Sequence, residues 1–255
     1  MLSIKKDERI KMIHEYKDLC KWGESKFQKM YLVEDENNHT WMKKVLPLSS
    51  FPLYNVLLGI NHINLVQVHD VWTEKESCIV IEEFVNGYTL SEYMQLLERT
   101  CFSTEEALSY IESVCDGLYE LHRHGIIHRD IKPENLMITN DGIIKISDYN
   151  IARLHIENAC SDTQILGTQG FAAPEQFGYR QTDARSDIYA VGVLLNVLLT
   201  GKIPLDRLYQ ERKDICQIIL SATATDPKDR YVDVKRLRRD IRRARKKCKG
   251  CQSSN

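Results

Sequence analysis

The chain has 255 residues, of which 43% are hydrophobic and 28% charged, and its formal net charge is −1 at pH 7. This composition is typical of an ordinary globular protein and argues against a fibrous or largely disordered chain. The longest apolar run, residues 188–199, is too short to cross a bilayer and is interpreted as a buried helix. The first residues lack the apolar core of a secretory signal, so a cytoplasmic location is predicted.

The first third of the chain carries short apolar stretches rich in β-branched and aromatic residues. Such stretches are typical of strands, and they occupy residues 29–33, 40–46, 66–72 and 78–84. We predict that they form a small antiparallel sheet in an N-terminal lobe, residues 14–85, which follows an N-terminal extension of residues 1–13. Together with the helical pattern that follows, they predict the α+β fold class.

After these strands the pattern becomes helical. Ser103 and Glu106 have the spacing of a capping box, which opens a helix. Further on, Asn140-Asp141-Gly142 stands between two apolar runs and indicates a tight hairpin. A final helix is predicted over about residues 233–247, so residues 86–245 are interpreted as a mainly helical C-terminal lobe.

The end of the chain is strongly basic. Residues 235–249 hold ten basic residues and one acid, a charge of +9, which leaves −10 for the remainder. We interpret this stretch as a solvated basic helix; the alternative is contact with an anionic surface, for which a membrane is expected rather than nucleic acid. The tail, residues 246–255, also holds Cys248 and Cys251, but no second pair follows that would complete a zinc site.

Three motifs lie in the predicted C-terminal lobe. Residues 128–135, HRDIKPEN, fit H-R-D-x-x-x-x-N at every fixed position, residues 148–150, DYN, stand where D-F-G would follow, and residues 167–175 end in A-P-E. In these motifs and in the sequence of residues 182–192, TDARSDIYAVG, the chain resembles the bacterial branch of the eukaryotic-like serine/threonine protein kinases. The resemblance covers about residues 14–245. The resemblance implies a two-lobed protein kinase fold, with a small antiparallel-sheet N-lobe and a mainly helical C-lobe. It also implies ATP and Mg²⁺ as cofactors and a protein as substrate.

The resemblance assigns chemical roles to four residues of the C-lobe. Phosphoryl transfer needs a carboxylate that orients the attacking hydroxyl and accepts its proton, and this role falls to Asp130. Lys132 would neutralise the transferring phosphoryl group, which favours Ser or Thr as the acceptor. Asn135 and Asp148 would supply hard oxygen ligands for Mg²⁺ and help to bind the nucleotide.

Further positions in the C-lobe follow from the same resemblance. Tyr149 replaces the Phe that packs in the D-F-G motif. Asn150 replaces its Gly, where Asn would be among the better residues for a left-handed backbone. Glu175 is expected to form an ion pair with Arg230, and Asp187 is expected to brace the backbone of the catalytic loop.

The N-lobe departs from the family pattern. Only Gly23 remains of the glycine-rich phosphate lid, and Ser25 and Met30 occupy other lid positions that we expect to face the nucleotide. Backbone amides approach phosphates less closely without glycine. Glu83 and Val85, in a hinge predicted over residues 83–87, are expected to complete the nucleotide site.

Two adjacent lysines compete for the role of orienting ATP. The usual A-x-K spacing favours Lys43, which would place Trp41 over the adenine ring. Choosing Lys44 would place Met42 there instead. Either residue is bulkier than the alanine of the family pattern.

The acid that normally pairs with this lysine is missing from its expected place. No Asp or Glu occurs over residues 45–67, and the glutamate expected on the first helix falls at Leu53. An acid such as Asp148 could substitute. Glu82 precedes the predicted hinge at a position where apolar residues are commoner, and the sequence assigns it no role.

Two functions therefore stay open. The loss of one preorganised electrostatic contact costs roughly 10²–10³-fold in rate. The chain is therefore expected to be an ATP-dependent kinase of protein Ser/Thr hydroxyls, which the degenerate N-lobe could make slow. The alternative is a pseudokinase that serves as a binding or regulatory module. Ser161 and Thr163 are candidate phosphorylation sites that would pair with Arg129. The sequence does not indicate an oligomeric state.

Overall fold

The computed structural model describes residues 15–25, 28–154, 168–177 and 182–252, with side chains up to residue 248. The chain divides into two compact units. We call Met1–Gly59 with Gln67–Phe84 the N-unit, and Ile60–Val66 with Val85–Asn255 the C-unit. The lobe boundaries inferred from the sequence stay predictions.

The N-unit is built on one antiparallel sheet. Its five strands have the order β1-β2-β3-β5-β4, and every neighbouring pair is antiparallel. The four strands expected from the sequence are confirmed, and a further strand precedes them. The bounds are β1 Lys17–Glu24, β2 Lys29–Glu34, β3 Thr40–Pro47, β4 Val68–Glu74 and β5 Ser77–Glu83.

The centre of this sheet is apolar, whereas its β1 edge is exposed. On β5, residues 78–82 are all buried, while β1 carries two register shifts and is mostly exposed. Among the described residues of the N-unit, β3 is followed by a short 3-10 turn and by a single α-helix, α1 Phe51–Leu57. Pro52 in its first turn is compatible with a helix start, and Gly59 follows its end, which explains its small length.

The C-unit is mainly helical in the part of the chain that is described. Ser103 and Glu106 form the predicted capping box at the start of α3, with both reciprocal hydrogen bonds present. The apolar run at residues 188–199 lies in α4, where nearly every residue is buried, so its interpretation as a core helix is confirmed. The helices are α2 Leu90–Leu96, α3 Thr104–Arg123, α4 Ala184–Thr200, α5 Lys213–Ala222 and α6 Val234–Gln252.

Short strands of the C-unit place the catalytic segment. The predicted hairpin is confirmed between β8 and β9, where Gly142 has φ 78° and its N–H donates to Thr139 O over 2.8 Å. An antiparallel hairpin brings its two open ends together. Ser147, just after β9, accordingly donates its N–H to Asn135 O over 2.9 Å. The strands are β6 Gly87–Thr89, β7 Ile126–Ile127, β8 Leu136–Thr139, β9 Ile144–Ile146 and β10 Arg153–Leu154.

The basic helix α6 closes the C-unit and extends to Gln252, beyond the predicted end near residue 247. Val234, Leu237, Ile241 and Ala244 recur at helical spacing and are all buried. This apolar stripe explains why a helix with so much charge docks on the domain.

Three arginines of α6 are neutralised by acids of α3. Arg238 pairs with Asp116, and Arg242 approaches Glu112 within 2.6 Å. Arg245 lies 2.9 Å from Glu112. The basic helix is therefore only partly a solvated charge.

The described residues were considered for a metal site and for a membrane-spanning helix. Cys248 Sγ lies 2.6 Å from Arg212 Nη1, and no group of three or more His, Cys, Asp or Glu side chains in the described part could hold a metal ion. None of the described helices is long and apolar enough to cross a membrane.

Gly87 provides a test of the close packing between β6 and β8. A Cβ atom added at Gly87 would lie 2.1 Å from Ile138 O. We expect Gly87→Ala to lower the free energy of unfolding by about 1–3 kcal/mol, the usual cost of forcing an extra carbon into a packed site. At Gly59 the nearest atom to an added Cβ is 3.6 Å away. Urea unfolding should show a much smaller change for Gly59→Ala; equal effects would contradict the packing argument.

Candidate functional site

The segment between β7 and β8 is anchored by one buried carboxylate. Asp187, in the first turn of α4, accepts the backbone N–H of His128 over 2.9 Å and that of Arg129 over 2.7 Å. Arg129 has φ 71°, which is uncommon for a residue with a side chain. The expected bracing of the catalytic loop by Asp187 is thus confirmed.

Asp187 also has a side-chain partner that the sequence did not indicate. His122 Nε2, near the end of α3, lies 2.7 Å from Asp187 Oδ2. Burial alone would raise the pKa of Asp187, but the hydrogen bonds and positive charge around it hold the pKa below its usual range. The anchor is therefore ionised at neutral pH.

Asp130 lies at the centre of what we call the catalytic-loop cluster, formed by Asp130, Lys132, Asn135 and Thr168. Asp130 Oδ2 accepts from Asn135 Nδ2 over 2.7 Å and lies 2.8 Å from Lys132 Nζ. Asp130 Oδ1 accepts from Thr168 Oγ1 over 2.8 Å, and Lys132 Nζ donates to the same hydroxyl over 2.6 Å. The three predicted catalytic residues are thus brought together.

This cluster controls the ionisation of Asp130. Burial would raise the pKa of Asp130, but hydrogen bonds from Lys132, Thr168 and Asn135, with the Lys132 charge, hold it below its ordinary value. Asp130 is therefore a carboxylate at neutral pH, with its acceptor oxygens already directed by three donors.

Asn135 and Asp148 lie at the open end of the β8–β9 hairpin and carry oxygen atoms suited to a hard cation. Asn135 uses its Nδ2 to bond Asp130, and within the described ranges no donor reaches its Oδ1. Asp148 is half-buried, and its Oδ1 accepts a long, 3.4 Å bond from Asn150 N. An amide oxygen and a carboxylate fit Mg²⁺, which keeps several waters and phosphate oxygens as its other ligands.

The residues after Asp148 behave partly as expected. Tyr149 is fully buried, and its hydroxyl donates to Ile146 O over 3.1 Å. Its packing role is confirmed. Asn150 does not use the left-handed backbone that Asn tolerates: in this motif the left-handed residue is Asp148, with φ 60°. The strain thus falls on the acidic residue itself, whose short polar side chain tolerates this backbone better than most residues do.

Residues 168–177 are tied to the catalytic loop. Gln176 Nε2 donates to Arg129 O over 2.9 Å, and Ala173 N donates to Gln176 Oε1 over 3.0 Å. The predicted ion pair is confirmed in a bidentate form, with Glu175 oxygens 2.7 and 2.8 Å from Arg230 nitrogens and both residues buried. The sequence identified this segment but gave no role to Thr168 or Gln176.

The side chain of Arg129 is buried in the C-unit. Its Nε donates to Thr182 Oγ1 over 2.9 Å. The phosphorylation sites proposed to pair with it, Ser161 and Thr163, lie outside the described residues, and so does Gly167 at the start of the A-P-E segment.

Of the predicted lid and hinge residues, Gly23 and Met30 lie on β1 and β2, Ser25 follows β1, and the hinge residues lie at the end of β5 and in the C-unit. Gly23 is the register partner of Met30, and a Cβ at Gly23 would lie 3.1 Å from Met30 Cε. Ser25 is exposed and donates its N–H to Gln28 O over 2.8 Å. Glu83 ends β5, and Val85 is buried in the C-unit. Their roles toward a nucleotide stay predictions.

The two candidate lysines lie on opposite faces of the N-unit sheet, because neighbouring residues of a strand alternate. Lys43 Nζ pairs with Asp18 and lies 5.1 Å from the centre of the Tyr31 ring. Lys44 Nζ lies 2.7 Å from Glu82 Oε2, and both of these side chains are buried. Glu82 is a partner that the sequence did not identify; its only signal was an acid on an otherwise apolar strand.

Trp41, predicted to lie over the adenine, has other contacts in the N-unit. Its Nε1 donates to Asp35 Oδ2 over 3.0 Å, and its ring stacks on His69 with 4.1 Å between centroids. By strand alternation it shares the face of Lys43, whereas Met42 shares the face of Lys44.

Comparison with known proteins agrees with these features. Residues 16–249 match the family model described as protein kinase domain. The chain is 31% identical over 204 residues to the "Probable serine/threonine-protein kinase PknB" of Lactococcus lactis, covering 71% of this chain and 32% of that protein. It is 32% identical over 208 residues to the serine/threonine-protein kinase PrkC of Bacillus subtilis, covering 73% and 32% respectively. For the serine/threonine-protein kinase PknL of Mycobacterium tuberculosis the identity is 32% over 204 residues, covering 71% and 51%. The chain thus spans 32% to 51% of the length of these relatives.

The ionisation of Asp130 can be tested directly. In Lys132→Met we expect the pKa of Asp130 to rise, because burial is kept while a charge and a hydrogen bond are lost. Carboxyl ¹³C NMR titration should show this shift, with Asp130→Asn identifying the signal. Lys228 is exposed, so Lys228→Met should leave the titration unchanged.

The same substitution has a consequence for stability with a defined sign. A carboxyl whose folded-state pKa is lowered stabilises the fold above about pH 4 and loses this effect as pH falls through the lower, folded-state value. Lys132→Met should therefore reduce the dependence of stability on pH in this acid range. An unchanged titration of Asp130 in Lys132→Met would contradict the assigned cause.

Proposed function

We propose that this chain, which belongs to the protein kinase family and is of the eukaryotic-like bacterial serine/threonine type, transfers the γ-phosphate of ATP to Ser or Thr hydroxyls of proteins. The observation that carries the proposal is the catalytic-loop cluster, in which one ionised carboxylate is held by three donors. Because the chain spans only part of its relatives, the activity and substrates of the whole protein are part of the proposal.

Bound ATP with Mg²⁺ supplies the transferring phosphoryl group and neutralises the charge that develops on it. The protein supplies position and proton transfer. Asp130 is held ionised, so it can orient an acceptor hydroxyl and take up its proton. Asn135 fixes the Asp130 carboxylate through its amide nitrogen and directs its oxygen elsewhere, which suits a second role as a metal ligand.

Lys132 and Thr168 complete the site. Lys132 Nζ lies 2.8 Å from Asp130 Oδ2, so it places a positive charge beside the carboxylate. Thr168 connects the two by accepting from Lys132 and donating to Asp130. The Thr168 hydroxyl fixes the positions of Lys132 and Asp130 while both side chains stay charged. A lysine at position 132 supports Ser and Thr as acceptors.

The pseudokinase alternative has little support. Its basis was the degraded N-lobe, in particular a lysine without an acidic partner. In the structure Lys44 has a buried acidic partner, and the matched relatives carry the names of serine/threonine-protein kinases. A cytoplasmic location stays part of the proposal because ATP is an intracellular cosubstrate.

We also propose that the exposed face of α6 contacts an anionic membrane surface. Arg238, Arg242 and Arg245 are engaged with α3, so they contribute little outward charge. Lys247 pairs with Asp214. Each basic residue near an anionic surface is worth about 1 kcal/mol, and five further basic side chains of α6 are exposed. They are Lys235, Arg236, Arg239, Arg243 and Lys246.

The kinase proposal is tested with labelled ATP, Mg²⁺ and a generic basic protein. We expect Asp130→Asn to lower the rate of transfer by about 10²–10⁴-fold, the usual contribution of a general base. Asp141 lies exposed in the hairpin, so Asp141→Asn is the matched control and should keep the rate. Transfer that is absent from the unmodified protein, or equal in Asp130→Asn, would contradict the proposal.

The membrane proposal is tested by binding to vesicles with anionic lipid. Replacing Arg239 and Arg243 by Gln should weaken binding by about 30-fold, from about 1 kcal/mol for each charge. Replacing Arg242 and Arg245 removes the same charge from the docked side and should have a smaller effect. Binding that is insensitive to salt, or equal for the two pairs, would argue against a membrane contact through this face.

A further inference from the structure

Lys44 and Glu82 form a buried ion pair inside the N-unit sheet. In the β3–β5 register Met42 is opposite Glu82 and Lys44 is opposite Val80. Lys44 and Glu82 are therefore diagonal neighbours on one face. Their charged atoms lie 2.7 Å apart, with 6% of Lys44 and 2% of Glu82 exposed.

Stability does not explain why this pair is present. Burying two charges costs desolvation energy, and a well-packed apolar pair at the same place is often as stable or more stable. In addition, Glu82 Oε1 is buried and lacks a hydrogen-bond partner within the described residues, which is a further cost. An ion pair kept on an apolar strand at such a cost indicates a function.

Lys43 is in a different environment. It lies on the other face of the sheet, and its partner Asp18 is on the exposed strand β1 with 51% of its side chain accessible. An ion pair with an exposed member contributes little and holds its partner loosely. Lys43 thus lacks the fixed geometry that a phosphate-orienting lysine requires.

Helix α1 offers no alternative carboxylate. The sequence has no Asp or Glu over residues 45–67, and α1 presents Leu53 and Tyr54 to the interior. Because α1 has no acid, the carboxylate that positions a lysine of β3 has to come from another element and has to lie in a fixed place beside that lysine. Glu82 on β5 meets this requirement.

We propose that Lys44 orients the nucleotide and that Glu82 is its positioning residue, taking the place of a carboxylate on α1. The inference deepens the proposed kinase function and rests on it. Glu82 acts through Lys44 and is not itself a catalytic residue. The assignment replaces the expectation, drawn from motif spacing, that Lys43 has this role.

The first experiment needs no nucleotide. In the nucleotide-free protein Glu82→Gln removes the buried negative charge that lies 2.7 Å from Lys44 Nζ, so the melting temperature should fall by roughly 5–15 °C. Adding Lys44→Met removes the buried ammonium as well and should restore at least half of this loss. Glu74→Gln, an exposed acid at the end of β4, is the matched control and should change little. Additive losses in the double variant would overturn the pairing.

The second experiment measures ATP affinity by calorimetry and kcat and KM by the transfer assay. Lys44→Met and Glu82→Gln should each weaken ATP binding by at least about tenfold, and the double variant should be no weaker than Lys44→Met, because the two residues act as one unit. A purely structural role for Glu82 would lower stability without changing the ATP affinity of the folded fraction. Loss of affinity in Lys43→Met but not in Lys44→Met would overturn the assignment.

Failure of this inference can be distinguished from failure of the kinase proposal. Asp130→Asn lies in the C-unit and should bind ATP while transferring little phosphate. If no variant and not even the unmodified protein transfers phosphate, yet the Lys44 and Glu82 variants lose ATP affinity together, the pairing stands and the kinase proposal fails. If Asp130→Asn abolishes transfer while Glu82→Gln changes neither affinity nor kcat, the pairing inference fails alone.

Discussion

The carboxylate of Asp187 is the interaction on which the catalytic segment depends. It holds two consecutive backbone N–H groups, those of His128 and Arg129, from a fully buried position on α4. The second of these residues has a left-handed backbone, which the two hydrogen bonds compensate. Asp130 is the next residue in the chain, so the direction of its side chain depends on the backbone that Asp187 holds. Asp187 has this effect without contacting a substrate. The low pKa of Asp187 keeps this anchor charged over the physiological range.

One lysine–carboxylate pair in each unit bears on the proposed activity, and these two pairs differ in their surroundings. Asp130 with Lys132 remains accessible, with 15% and 18% of these side chains exposed, whereas Lys44 and Glu82 are below 10%. Solvent access suits a group that exchanges a proton, since the proton must enter and leave. Exclusion of water suits a group that only holds a charge in place, because the attraction is stronger at low dielectric.

Features that follow from local pattern were predictable from the sequence. The capping box at Ser103, the hairpin at Gly142 and the pair of Glu175 with Arg230 depend on spacing or on a motif, and all three are confirmed. The pairing of Lys44 with Glu82 was not predictable, because it depends on the register of two strands, and a slip of one residue would turn either side chain to the other face. The contribution of Thr168 was hidden for a similar reason, since it lies 38 residues from Asp130 in sequence.

The register of β3 against β5 has a consequence for control. In protein kinases whose lysine is held by a glutamate on a helix, moving that helix breaks the pair and turns the enzyme off. Two partners on adjacent, hydrogen-bonded strands of one sheet are not pulled apart by the movement of a helix. The place of a lysine held in this way is set by the strand register when the chain folds, so an on–off signal that acts by moving α1 would leave this pair intact.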